Sequence, residues 1–175
     1  MKKSKKRILN VGCGSDTYGT HFIDLYPTRK EVIKCNADKD KFPFPDNYFD
    51  EVYSKCLFEH LRNPLHFLKE SYRVLKKGGR IVIITDSAGF FGIFGSVHHG
   101  GYEKTSFGDE DRHYALFTTN HMKNWLESVG FKRIKVEYFI YEEKILKKHL
   151  PFVKLLCMVT KRMCPHIKAI GYKWF

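Results

Sequence analysis

Short apolar runs, each closed by glycine, an acid or a polar turn, recur along the first half of the chain. That is the pattern of buried strands opening into loops. Ile8-Leu9-Asn10-Val11 leads into Gly12-Cys13-Gly14-Ser15, His21 to Asp24 ends in a carboxylate, Glu31 to Cys35 supplies a third run and Phe49 to Ser54 a fourth. From Pro64 to Lys76 the apolar Leu65, Phe67, Leu68, Tyr72, Val74 and Leu75 fall at helical spacing, and Lys76-Lys77-Gly78-Gly79 marks a stop. Arg80 to Thr85 is nearly all β-branched, as in a central strand covered on both faces. Residues 87–117 are glycine-rich without a period and read as a long loop or lid, which Phe90, Phe91, Ile93 and Phe94 make an apolar cover. Thr118 and Thr119 cap a helix over Asn120 to Ser128 that stops at Gly130, and Phe131 to Tyr141 alternates as a strand. Residues 142–165 read as a basic, apolar helical cover, and Ile167 to Phe175 as a last strand. The alternation predicts an α/β fold: a Rossmann-like, doubly wound sheet of about seven strands, mostly parallel with a late antiparallel strand. Only six residues separate Gly14 from His21, so the first crossover helix is missing or very short.

With 175 residues the chain fits a single domain over 8–175 behind a basic arm at 1–7. The net charge of +12 is unevenly placed. Residues 1–7 and 144–175 hold five and eight Lys/Arg without an acid, so the stretch between them is near neutral. Such ends suit an anionic membrane surface or RNA, with a solvated charge run as the plain alternative; no DNA partner is expected. Five cysteines without a C-x-x-C pair indicate neither a disulfide framework nor a zinc knuckle. No apolar run reaches the ~18–20 residues of a spanning helix, and no signal-peptide core follows the lysines. The expectation is a cytoplasmic protein, peripheral to the membrane if its basic ends bind lipid, and a monomer.

In an open α/β sheet the ligand lies beyond the carboxyl ends of the strands. Here those ends are Gly12-Cys13-Gly14, Asp24, Ala37-Asp38 and Ser54-Lys55-Cys56. Glycines after the first strand admit a ligand to the backbone, and an acid ending the second can accept both hydroxyls of a ribose, which implies a nucleoside. A dinucleotide fingerprint needs glycine where this chain has Thr17, so NAD is disfavoured.

NVGCGS (10–15), FIDLYP (22–27), ADKDKFPFPDNYFDEVYS (37–54), EHLRNP (59–64), RVLKKGGRIVI (73–83) and RHYALFTTNHMKNWLESVGF (112–131) stand in an order and spacing that resembles class I S-adenosylmethionine-dependent methyltransferases. The likeness is strongest to the small-molecule group called type 11. The resemblance implies S-adenosyl-L-methionine as cofactor and S-adenosyl-L-homocysteine as product. It would place Gly12 and Gly14 along the methionyl part with Asn10 and Cys13 close by, Asp24 on the ribose, and Leu25 near the adenine. Asp38 would accept from the adenine amino group with Ala37 and Lys39 beside it. Lys55 would approach the methionine moiety, and His60 would stand at the mouth shared by cofactor and acceptor. The missing first helix departs from the family pattern, leaving loop amides or Lys55 to hold the methionine end.

A sulfonium methyl is already activated, so alignment of the acceptor carries most of the catalysis and few catalytic residues are needed. His113 is the first base candidate and His60 the second. Ser54-Lys55-Cys56-Leu57 replaces the Asn-Pro-Pro-Tyr-like segment of exocyclic-amine methylation, and Cys56 reads as a small core residue. No histidine spacing fits a ligand pair on one element, so no metal is expected. The leading reading is methyl transfer to a small-molecule acceptor, apolar or lipid-linked. The alternatives are an RNA methyltransferase using the basic ends and a non-catalytic S-adenosylmethionine-binding module.

Overall fold

The computed structural model describes residues 6–94, 112–140 and 150–174. Its elements are β1 (Ile8–Val11), β2 (His21–Asp24), β3 (Val32–Lys34), β4 (Phe49–Lys55), α1 (Pro64–Val74), β5 (Leu75–Asp86), α2 (Ala88–Phe94), α3 (Thr119–Val129), β6 (Phe131–Phe139), α4 (Leu150–Val159) and β7 (His166–Lys173). Seven strands form one sheet in the order β3-β2-β1-β4-β5-β7-β6. The pairs from β3 to β5 are parallel, and β7 enters antiparallel between β5 and β6. This is the mixed, Rossmann-like sheet that the alternation predicted, with the antiparallel strand last in the chain. No helix lies between β1 and β2. The residues between them bond within themselves and to both strands, as where Thr20 N–H donates to the Ile8 carbonyl.

The core forms where the apolar face of the sheet meets α1 and α3. Leu9, Val11, Ile23, Val52, Ile81 and Ile83 face Phe67, Leu68, Val74, Met122 and Leu126 in one buried cluster. Helix α1 starts because Asn63 accepts from the His66 amide at its N-cap and Pro64 needs no amide partner in the first turn. Helix α3 starts on the Thr118 side chain and ends at Gly130, whose φ of 103° is a left-handed stop.

Three stretches differ from the sequence expectation. The Lys76-Lys77-Gly78-Gly79 passage is not a helix stop: α1 ends at Val74, and β5 already begins at Leu75, opposite Phe49. Gly78, at φ 77°, lets the chain turn at a register shift between Phe49 and Glu51. The long loop read over 87–117 opens with α2, nucleated by the Ser87 carbonyl accepting from the Phe90 and Phe91 amides. Gly89 and Gly92 lower helix propensity there and hid the period; residues 95–111 lie outside the described residues. Of the helical cover read over 142–165, Leu150–Val159 is α-helical and Lys161–Met163 forms a 3₁₀ turn, while 142–149 lie outside the described residues. Helix α4 buries Val153 but leaves Phe152, Leu155, Met158 and Val159 more than half exposed. The basic arm is described only at Lys6, which pairs with Glu51 at 2.8 Å, and Arg7, which lies over the Tyr48 ring.

Candidate active site

At the carboxyl ends of β1 to β4 a cavity of about 230 Å³ opens, with both glycines of the first turn in its wall. Gly12 stands at φ 65° and donates its amide to the Ile23 carbonyl; a side-chain carbon there would stand 2.8 Å from the Leu57 methyls. Gly14, at φ 49°, faces open space and donates to Asp24 Oδ2 at 2.8 Å. Asp24 Oδ1 accepts from the Tyr26 amide at the same distance, so the carboxylate is fixed by backbone on both oxygens and keeps further lone pairs for a ligand. On the next strand end, Asp38 Oδ1 accepts from the Asn63 amide, tying the β3 turn to the start of α1. Asn36 shapes that turn by accepting from the Asp38 amide.

The fold gathers Gly12, Gly14, Asp24, Leu25, Ala37, Asp38 and His60 around this one cavity. Asn10, Cys13, Lys39 and Lys55 are not in its lining. The side-chain amide of Asn10 donates to the Tyr18 carbonyl, bracing the link between β1 and β2. Cys13 is buried, and burial, with the Asp24 charge behind it, pushes its thiol up to about 11. Lys39 is exposed, and Lys55 pairs with Asp16 at 3.2 Å. Alternation explains the two strand residues: Asn10 registers with Tyr53 on the face that carries Tyr18, and Lys55 follows two residues later on that face. The reading missed Tyr26, Thr28, Cys35, Asn36, Cys56, Leu57 and Leu61. The strand-end rule already names Cys56, and carrying it one residue further, to Asn36 before Ala37 and Leu57 after Cys56, finds two more. Cys56 is not a core residue: it is half-buried in the cavity wall at φ 50°, held there by the hydrogen bond its backbone N–H donates to the Ile84 carbonyl.

The wall at His60 continues into a buried polar cluster. Glu59 and His60 sit on the 3₁₀ turn Phe58–His60, and the Glu59 carbonyl accepts from the Tyr114 amide, which brings the 112–117 segment across the end of β5. His113 thereby stands edge-on to His60, with ring centroids 4.5 Å apart, and its Nδ1 lies 3.7 Å from Asp86 Oδ2. His166 reaches the other oxygen of Asp86 at 3.8 Å, and the Thr85 hydroxyl donates to Glu59 Oε2 at 2.7 Å. Spacing along the chain argued against a metal. Two segments nevertheless bring donor atoms of Glu59, His60 and His113 within 4.8 Å of one another.

The strand order is that of the fold seen in solved S-adenosylmethionine-dependent methyltransferases, with the glycine turn and the two acids gathered at its carboxyl edge. Residues 9–83 match a type 11 family model described as a methyltransferase domain. An uncharacterized protein of Methanocaldococcus jannaschii is 26% identical over 79% of this chain and 71% of its own length. The tRNA U34 carboxymethyltransferase of Pseudoalteromonas translucida is 26% identical over 75% of this chain and 46% of its own. The chloroplastic tocopherol O-methyltransferase of Arabidopsis thaliana is 30% identical over 48% and 31%. The chain thus spans less than half the length of these last two. Among solved structures, an S-adenosylmethionine-dependent methyltransferase of Archaeoglobus fulgidus aligns with a TM-score of 0.66 at 18% identity, covering 98% of this chain and 87% of its own. Phosphoethanolamine N-methyltransferase 2 of Haemonchus contortus, solved with S-adenosyl-L-methionine, aligns with a TM-score of 0.60 at 17% identity over 99% and 50%.

Proposed function

We propose that the chain is an S-adenosylmethionine-dependent methyltransferase acting on a small molecule with an apolar body. The observation that carries the reading is the cavity itself, with Asp24 and Asp38 held by backbone amides on one side and a glycine turn on the other. The residues fit the cofactor. Asp24 offers lone pairs to two ribose hydroxyls, Asp38 and Asn36 to the adenine edge, and Gly14 leaves the space a side-chain carbon would fill. The cofactor supplies a methyl already activated on sulfur, so the protein's task is orientation and exclusion of water. His60, at the end of the wall next to His113, is the polar group best placed to meet an acceptor.

The apolar acceptor is supported by helix α4, whose outward face of Phe152, Leu155, Met158 and Val159 adjoins the basic Lys154, Lys161 and Arg162. The 3₁₀ turn after α4 packs on α2, which leaves the carboxyl end of β5 on the side of the sheet where the cavity opens. Calorimetry tests the cofactor reading: S-adenosylmethionine and S-adenosylhomocysteine bind wild type at about micromolar affinity while NAD does not. Asp24→Ala and Asp38→Ala each weaken binding at least about tenfold, the worth of one charge-assisted hydrogen bond. Absence of binding to wild type would leave only a methyltransferase-like scaffold. Tight, strongly salt-dependent binding of RNA would move the acceptor to RNA.

A further inference from the structure

We infer that Glu59, His60 and His113 form a binding site for a divalent transition-metal cation at the edge of the cavity. Two imidazoles and one carboxylate are the donor set that holds zinc, iron, cobalt or manganese while leaving coordination positions open. Their donor atoms lie within 4.8 Å of one another. Ligands at ~2.0–2.2 Å from a cation stand roughly 3–4 Å apart, so small side-chain rotations close the set.

The surroundings are built as metal sites are built. A ligating histidine donates its remote N–H to a carbonyl or carboxylate, which fixes the tautomer and aims the other nitrogen. His60 Nδ1 lies 3.3 Å from the Arg112 carbonyl and meets this pattern, while His113 Nδ1 stands 3.7 Å from Asp86 Oδ2, longer than a hydrogen bond and within reach of one on a small rotation. The Thr85 hydroxyl orients Glu59. Glu59 and Asp86 are 1% and 4% exposed, and their carboxyl groups approach His113 from two different elements. The 3₁₀ turn and the returning 112–117 segment are clamped together by the Tyr114 and Ala115 amides on the Glu59 carbonyl and by Arg62 on the Tyr114 hydroxyl, so the donors are held in register before any ion arrives.

His60 also lines the cavity, so a cation held there borders the space assigned to the acceptor. An acceptor oxygen reaching it would be polarised and would give up its proton more readily, which favours phenolic, enolic or other oxygen acceptors. That role rests on the methyltransferase reading; the site itself does not.

The test uses the full chain, stripped with a chelator and titrated with Co²⁺ by visible absorbance and with Zn²⁺ by calorimetry. The expected result is one saturable equivalent at about micromolar affinity, weakened at least about tenfold in His60→Ala and in His113→Ala. His113→Asp, which restores a ligand, recovers part of the binding. Cys157→Ser with Cys164→Ser leaves it unchanged. The inference is overturned by no saturable binding to wild type, by equal binding to folded His60→Ala and His113→Ala, or by loss on removing the cysteines. Folding of each variant is read from its circular dichroism and thermal melt. A titration with S-adenosylhomocysteine on the chelated protein separates the two readings: cofactor binding without cation binding removes only the metal site, and the reverse removes only the cofactor assignment.

Discussion

Gly12 combines a left-handed backbone with contact to Leu57, so its replacement is strained in two ways. Gly12→Ala is expected to cost about 1–3 kcal/mol in urea unfolding and to push Leu57 into the cavity, lowering cofactor affinity as well. Gly14→Ala carries the backbone strain without the collision, so it loses less stability. Glu51 makes the pH prediction. Burial raises its pKa, but hydrogen bonds from Lys6, Tyr18 and Arg80 outweigh burial and hold it below the ordinary 4.5. A lowered native pKa gives stability that is present above the unfolded value and lost as pH falls through the native one. Unfolding measured between neutral and strongly acidic pH will therefore show a steep loss below about pH 4.5 that Glu51→Gln flattens. The glycines and acids were legible in the sequence because they end strands, where topology alone fixes their neighbourhood. Glu51 was not, since its partners come from the arm, the β1–β2 link and β5, and no local pattern joins them.

At the scale of elements, the link between β1 and β2 is the main departure from a helix-bearing crossover, and the short spacing from Gly14 to His21 revealed it. The amides of Gly12 and Cys13 point to the Ile23 carbonyl and that of Gly14 to Asp24, while Lys55 is paired with Asp16. A helix N-terminus would have offered amides to the cofactor carboxylate, whereas this link has spent its first three internally. Removing the amino-acid tail of the ligand is accordingly expected to matter little: 5′-methylthioadenosine should bind within about tenfold of S-adenosylhomocysteine by calorimetry. A loss of a hundredfold or more would show that the link does hold the tail. Helix α2 was not legible because Gly89 looked like loop composition. Its reason is contact, for a side-chain carbon at Gly89 would collide with the Arg162 carbonyl of the turn after α4. Gly89→Ala should separate the two elements, read as faster proteolysis at the α2 and α4 ends with the sheet intact.

Over the whole molecule, excess positive charge and outward apolar side chains coincide at α4, although no helix among the described residues is long and apolar enough to cross a membrane. Co-sedimentation with vesicles containing phosphatidylserine is expected, falling with salt and lost in the double variant Phe152→Ser with Leu155→Ser. Retention of binding in that variant would reassign the attachment to charge alone. Composition disclosed the charge, but only the packing of Val153 inward decides which side of α4 faces out. The same view of the whole chain sorts its five cysteines. Burial drives the thiols of Cys13 and Cys35 up to about 11 and that of Cys157 to about 12, and Cys164 is buried. Thiolate is the reactive form, which leaves those sulfurs slow toward electrophiles at neutral pH. Cys56, half-buried in the cavity wall, is the sulfur expected to be alkylated first by a small reagent. Iodoacetamide capture at Cys56, followed by peptide mass spectrometry, is therefore expected to slow when a ligand fills the cavity, which makes that thiol a footprinting reporter of occupancy.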